Sequence, residues 1–308
     1  MIHYKVNPAK LISEIGKESP NGTWWKKAKK AFDEAVATGQ HNAKNEYWSE
    51  IKGAYMRLQN HKCGYCETPL AQGRNAKIDY DVEHYRPKAK VEAWPTEEIK
   101  KRLAIDYSVS SGRIAGYPEL AHHPHNYLVC CKVCNSPYKH NFFPILGAPS
   151  ESGECRLARM NVREKPAIPL PIGDWGEDPT PIVTFYGFVA VPASNDPVSV
   201  LRAKIIIDFF ELNIRPDLLL GRAAAVVNVY QYLREITDLH LAEDSVEAED
   251  WVKNAMADSA PYSAASRAFY RLYQRDLGKA KEIARVSARY VKNKDRMLAE
   301  NLLVRTKP

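Results

Sequence analysis

The stretch Cys131-Lys132-Val133-Cys134-Asn135 repeats the cysteine spacing of an earlier pair, Cys63-Gly64-Tyr65-Cys66. Two cysteines at this spacing form a knuckle whose thiolates reach one tetrahedral Zn²⁺, and two knuckles complete a closed structural site. Because residues 67–130 separate the pairs, we expect a hairpin with an insertion to bring them together. Cys130 offers a second register, but its spacing to Cys134 suits a knuckle less well. The predicted zinc ligands are therefore Cys63, Cys66, Cys131 and Cys134.

Two short segments between the knuckles have the pattern of β-strands. Residues 78–84 alternate between apolar and polar side chains, as a strand with one buried face does. Residues 127–130 form a second, apolar run. Polar residues stand at the ends of these segments and directly after the last cysteine, namely Glu83, His84, Asn126 and Asn135.

These polar residues have the chemistry needed to hydrolyse a phosphodiester with one divalent ion. Carboxylate and amide oxygens suit Mg²⁺ or Mn²⁺, so Glu83 and Asn135 are the predicted ligands. A neutral imidazole takes a proton from water at physiological pH, which is the predicted role of His84. Asn126 is the candidate to hold that ring by a hydrogen bond. Asp81 shares a strand face with Glu83, and we interpret it as lying outside the metal site.

The segment 63–144 resembles the HNH endonucleases of the four-cysteine zinc type. In that family an acidic metal ligand precedes the catalytic histidine, a middle asparagine orients the histidine, and the third motif position binds the metal. The resemblance implies these roles for Glu83-His84, Asn126 and Asn135. Asn135 departs from the histidine of the family name, as in the variant that ends in asparagine, and Glu83 replaces the commoner aspartate.

A second resemblance is narrower. The run Asp-Val-Glu-His-Tyr-Arg-Pro-Lys at 81–88, with 131–135 and Lys139, is similar to the PtuB-like nucleases of Septu and some retron anti-phage systems. It continues more weakly to the residues Phe-Glu-Leu-Asn at 210–213. The resemblance implies a nuclease effector of antiviral defence that works beside a separate, PtuA-like ATPase partner.

The rest of the chain predicts an α+β protein built around this core. Residues 60–146 form the predicted zinc-stapled ββα-metal HNH core, with an insertion in its hairpin. Residues 1–59 predict an N-terminal helical segment, whose aromatic residues, Trp48 among them, we interpret as core packing rather than base stacking. Residues 147–197 form a Pro/Gly-rich ordered connector, and 198–308 a mostly α-helical C-terminal region.

The charge pattern favours a polyanionic partner. The net charge is +7, and the predicted phosphate contacts are Arg86, Lys88, Lys132 and Lys139. The chain has no phosphate-binding loop ending in Gly-Lys-Ser or Gly-Lys-Thr, so nucleotide hydrolysis must come from another chain. No apolar run reaches the roughly 18 residues of a membrane span, and no signal-peptide pattern is present, which predicts a cytoplasmic protein without membrane contact.

Three functions remain open at this point. A DNA endonuclease ranks first, because attack by an external water needs no 2′-hydroxyl group. An HNH nuclease that cleaves RNA is the second, and parallel digests of both nucleic acids distinguish the two. The third is a non-catalytic zinc module that binds nucleic acid or proteins, which predicts one tightly bound Zn²⁺ and no Mg²⁺- or Mn²⁺-dependent cleavage.

Overall fold

A computed structural model describes residues 1–71, 79–238, 242–293, 300 and 302. The chain divides into two compact units. The first, here called the N-terminal unit, comprises residues 3–65 and 70–178. The second, the C-terminal unit, comprises residues 1–2, 66–69 and 179–308. Helices and small antiparallel sheets together agree with the predicted α+β class.

Three helices begin the N-terminal unit. Helix α1, Pro8–Glu18, starts at Asn7, whose side chain accepts a hydrogen bond from the Lys10 amide at 2.8 Å. This is the usual way to satisfy a free amide at a helix start. Helix α2 is Thr23–Thr38, and a 3₁₀ turn, Tyr47–Ile51, leads into α3, Lys52–Leu58. The first knuckle therefore begins shortly after a helix, as expected.

The central hairpin pairs strand β1, Tyr80–His84, with β3, Tyr127–Cys131. The strands are antiparallel, with Tyr80 opposite Cys131 and His84 opposite Tyr127. Gln59, at the end of α3, continues this sheet, because its side-chain amide bonds both the N–H and the C=O of Val129 at 2.7 and 2.8 Å. Ile78, which the alternation placed in the first strand, lies outside the described residues.

The predicted insertion lies between β1 and β3. It contains β2, Ser110–Ser111, and helix α4, Glu97–Leu103, which Thr96 caps through its hydroxyl. Strand β2 pairs with β4, Pro144–Ile145, which follows the second knuckle. Helix α5, Leu157–Glu164, completes this unit's helices. The pairing of β2 with β4 thereby joins the insertion to the chain that follows the second knuckle.

The C-terminal unit is mostly helical and has its own core. A hairpin of β5, Val183–Tyr186, and β6, Val189–Pro192, turns at Gly187, whose φ of 64° suits glycine. Its described residues include the helices α6 Pro197–Phe209, α7 Pro216–Asp238, α8 Ala242–Ala255, α9 Ser263–Arg275 and α10 Leu277–Asn293. Pro197 and Pro216 stand at the first positions of α6 and α7, where the fixed φ of proline suits a helix start. Within the described residues no helix is both long and apolar enough to cross a membrane.

Candidate active site and metal centre

Four buried cysteines form the candidate zinc centre. The Sγ atoms of Cys63, Cys66, Cys131 and Cys134 lie within 4.8 Å of one another. Zinc–sulfur bonds of about 2.3 Å in a tetrahedron separate the sulfurs by roughly 3.8 Å, so this group fits the ion. The Cys134 amide also donates to the Cys131 sulfur at 3.4 Å, an arrangement that favours a thiolate.

Cys131, and not Cys130, lies in this cluster, which supports the predicted choice. Cys130 is fully buried but does not belong to the cluster. Successive residues of a strand point to opposite faces, so only one of the two adjacent cysteines at the end of β3 can face the first knuckle. Gly64 lets that knuckle pass close to β3, because a Cβ there would lie 2.6 Å from the Leu128 side chain.

The carboxylate of Glu83 lies near the end of β1 and is almost fully buried. It forms an ion pair with Lys139, whose Nζ is 3.0 Å from Glu83 Oε1. Burial raises the pKa of Glu83, and the positive charges of Lys139 and Lys88 oppose that rise. A buried carboxylate needs positive charge beside it to remain ionised. Lys139 supplies such a charge at Glu83 Oε1.

His84, the last residue of β1, is held so that one ring nitrogen is defined. Its Nε2 donates to the carbonyl oxygen of Ala121 at 3.0 Å. Since a carbonyl only accepts, the proton is on Nε2 and Nδ1 keeps its lone pair. Among the described residues, none bonds Nδ1. Burial, followed by the charge of Lys88, lowers the pKa of His84 well below its usual value, so the ring is neutral at pH 7.

Asn126 acts on the backbone beside His84 and not on its ring. Its Oδ1 accepts from the Arg86 amide at 2.9 Å, and its Nδ2 donates to the Arg86 carbonyl at 3.0 Å and to the Leu120 carbonyl at 3.2 Å. The expected direct bond to the imidazole is therefore replaced by the Ala121 carbonyl. The asparagine is buried and joins the turn after β1 to the chain before β3, which fixes where His84 points.

Asn135 follows the second knuckle in a π-helical turn, Cys134–Lys139. Its Nδ2 donates to Asp81 Oδ2 at 3.1 Å, and Lys132 bonds the same oxygen at 2.5 Å. Because a carboxylate only accepts, the nitrogen of Asn135 faces Asp81 and its oxygen remains available as a ligand. Asp81 thus orients the amide from the same strand face that carries Glu83.

The four basic residues predicted to contact phosphate lie in different environments. The Arg86 guanidinium is buried and bonds Glu164 and Asn161. Lys139 is buried on Glu83, and Lys132 is half-exposed on Asp81. Lys88 is half-buried with its Nζ 4.6 Å from the ring centre of Trp48. Arg86 and Lys139 are thus engaged inside the protein and are not offered to a nucleic-acid surface.

A comparison with known proteins gives one similarity. The chain is similar to the Septu protein PtuB. That protein of Bacillus mycoides (strain KBAB4) is 31% identical over 133 residues, which cover 41% of this chain and 39% of PtuB. The chain thus matches about two fifths of the length of PtuB. No protein-family model and no solved structure matches it. The resemblance to PtuB predicted from the sequence is supported over this part of the chain.

The sequence did not indicate that Trp48 belongs to the site. Its ring lies 4.6 Å from that of His84 in an edge-to-face arrangement, and the Tyr127 ring also packs edge to face against His84 at 5.1 Å. Trp48 does pack, but against the candidate base and Lys88. No spacing rule connects a residue of the 3₁₀ turn with one at the end of β1, so this pair could be found only in the fold.

Proposed function

We propose that this chain is an HNH endonuclease that hydrolyses phosphodiester bonds in DNA. One observation carries the proposal: the turn after the last cysteine bonds β1 twice, through Asn135 to Asp81 and through Lys139 to Glu83. These contacts support a single site made of Glu83, His84 and Asn135. The two strands and the helical turn, in that order and joined at a cysteine cluster, correspond to a ββα-metal unit.

The donor set fits one hard divalent ion. Glu83 offers a carboxylate oxygen and Asn135 an amide oxygen, the types of ligand that Mg²⁺ and Mn²⁺ prefer. When bound, such an ion neutralises charge on the phosphate and on the leaving oxygen. The four cysteines, all thiolate donors, fit Zn²⁺ with no open position and hence a structural role.

His84 is the proposed general base. Its Nδ1 takes the proton of the attacking water, while Nε2–H stays on the Ala121 carbonyl and stabilises the resulting imidazolium. The water oxygen bonds to phosphorus, and the bond from phosphorus to the leaving sugar oxygen breaks. Asn126 keeps His84 in position through the backbone, since its two-sided bond to Arg86 fixes the turn that follows the base.

Replacing His84 tests the mechanism. We expect H84A to nick supercoiled plasmid DNA about 10²- to 10⁴-fold more slowly than the wild type with Mg²⁺ or Mn²⁺. The exposed His140, replaced in H140A, is the matched control and should leave the rate unchanged. An H84A protein that nicks as fast as the wild type would contradict the proposal. The same digests run on RNA decide whether the substrate is DNA.

The similarity to Septu PtuB supports a biological setting for this activity. We propose that the chain is the nuclease effector of an anti-phage defence system and that it acts with a PtuA-like ATPase. The absence of a phosphate-binding Gly-Lys-Ser or Gly-Lys-Thr loop in the whole sequence is consistent with a separate source of nucleotide hydrolysis.

A further inference from the structure

The ammonium of Lys88 lies beside the candidate base, and no carboxylate among the described residues pairs with it. Its Nζ is over the ring of Trp48, 4.6 Å from the centre, and that ring also contacts His84. Burial lowers the pKa of His41, His84 and His122, and the charge of Lys88 adds to that effect at all three rings.

The other basic residues near the site already have anions. Arg86 pairs with Glu164, Lys132 with Asp81 and Lys139 with Glu83. In the described part of the chain, Lys88 has no ion pair within 4.0 Å. Burial is the main cause that lowers the pKa of its ammonium, with Glu83 and Glu46 opposing from a distance. A half-buried charge of this kind costs free energy until an anion reaches it.

We propose that Lys88 binds a DNA phosphate beside the cleaved bond and that the indole of Trp48 holds its ammonium in place. This inference rests on the proposed nuclease function. Trp48 is then a positioning residue, because its ring makes a cation–π contact with Lys88 and packs edge to face against His84. It thereby holds the phosphate-binding ammonium near the base. The 3₁₀ turn of the N-terminal helical segment thereby contributes to the substrate site.

The binding test compares K88M with K90M, since Lys90 carries the same charge two residues away but is 72% exposed. Binding of a short DNA duplex is measured by fluorescence anisotropy over a salt series, with Ca²⁺ in place of Mg²⁺ and intact DNA verified on a gel. Loss of one phosphate contact reduces the slope of log K against log salt by about 0.9. We expect this change in K88M, a wild-type slope in K88R, and no change in K90M.

The cleavage test separates positioning from general packing. We expect K88M to lower kcat/KM about 10- to 100-fold, the range for losing one charged hydrogen bond. We expect W48L to lower kcat/KM as well, and W48F, which keeps an aromatic ring, to retain most of the wild-type value. The double variant W48L/K88M should have the same kcat/KM as K88M. Melting temperatures of all variants verify that they fold.

The outcomes distinguish this inference from the nuclease proposal. A wild type that cleaves neither DNA nor RNA, alone or with its co-expressed partner and ATP, overturns the nuclease function, while the salt slopes still decide the role of Lys88. A wild type that cleaves DNA, with K88M equal to it in slope and rate, overturns the inference alone. Equal changes of the salt slope in K88M and K90M would also overturn it, because they indicate a general effect of surface charge. Additive losses of kcat/KM in W48L/K88M would do so too, because they indicate that Trp48 acts only through packing.

Discussion

The buried guanidinium of Arg86 shows how a basic residue two positions after the proposed general base can be structural. Its Nε is 2.8 Å from Glu164 Oε2, and one Nη donates to Asn161 at 2.7 Å. The Phe143 ring centre lies 5.2 Å from the guanidinium carbon. Tyr117 and Ser150 bond the other oxygen of Glu164, so this carboxylate joins several segments of the unit.

Removing Arg86 should therefore act on stability. We expect R86A to lower the free energy of unfolding by about 3–5 kcal/mol, because Glu164 would remain buried without its cation. Urea denaturation of R86A and of the exposed control K90A measures the difference. If R86A is nearly as stable as the wild type and binds DNA more weakly, Arg86 contacts phosphate, as the sequence predicted.

At the scale of elements, the cysteine knuckles and the hairpin depend on each other. Strand β3 ends at Cys131, and the π-helical turn begins at Cys134. A metal held by both knuckles fixes the end of β3 and the start of the turn that carries Asn135. Structural zinc of this kind contributes directly to folding free energy.

The adjacent residues Cys130 and Cys131 provide a matched pair of variants that tests whether zinc binding stabilises the fold. We expect wild-type protein to contain one zinc per chain by elemental analysis, C131A to lose it and to melt at a lower temperature, and C130A to keep it. C130A should cost only about 1 kcal/mol, since it removes one buried sulfur and leaves a small cavity. Zinc retained in C131A but lost in C130A would show that the other register binds the metal.

The pattern of neighbouring residues predicted these elements, but it could not predict contacts between residues far apart in the chain. Alternation identified β1, and the spacing of the knuckle selected Cys131, because both are properties of neighbouring residues. The actual partner of Asn126, the Arg86 backbone, depends on how the insertion 85–126 folds back. The contact of Trp48 with His84 likewise depends on tertiary packing, and polarity alone could not show that Arg86 faces Glu164.

At the scale of the whole molecule, the candidate chemistry is concentrated in one part of the chain. The C-terminal unit has an independent apolar core, which includes Phe188, Val226, Phe269 and Ile283. Apart from the four cysteines, the described residues contain no group of three or more His, Cys, Asp or Glu side chains placed to share a metal ion. We propose that the C-terminal unit docks the separate ATPase.

Co-expression with the neighbouring gene product tests this division of labour. We expect a tagged form of the chain to co-purify an ATPase through size-exclusion chromatography, and plasmid nicking to depend on that complex and to respond to ATP. The H84A variant should bind the same partner but not nick, because His84 acts in the chemistry and not in assembly. A chain that nicks DNA equally well alone, and co-purifies no ATPase, would contradict the partner proposal and leave the nuclease proposal intact.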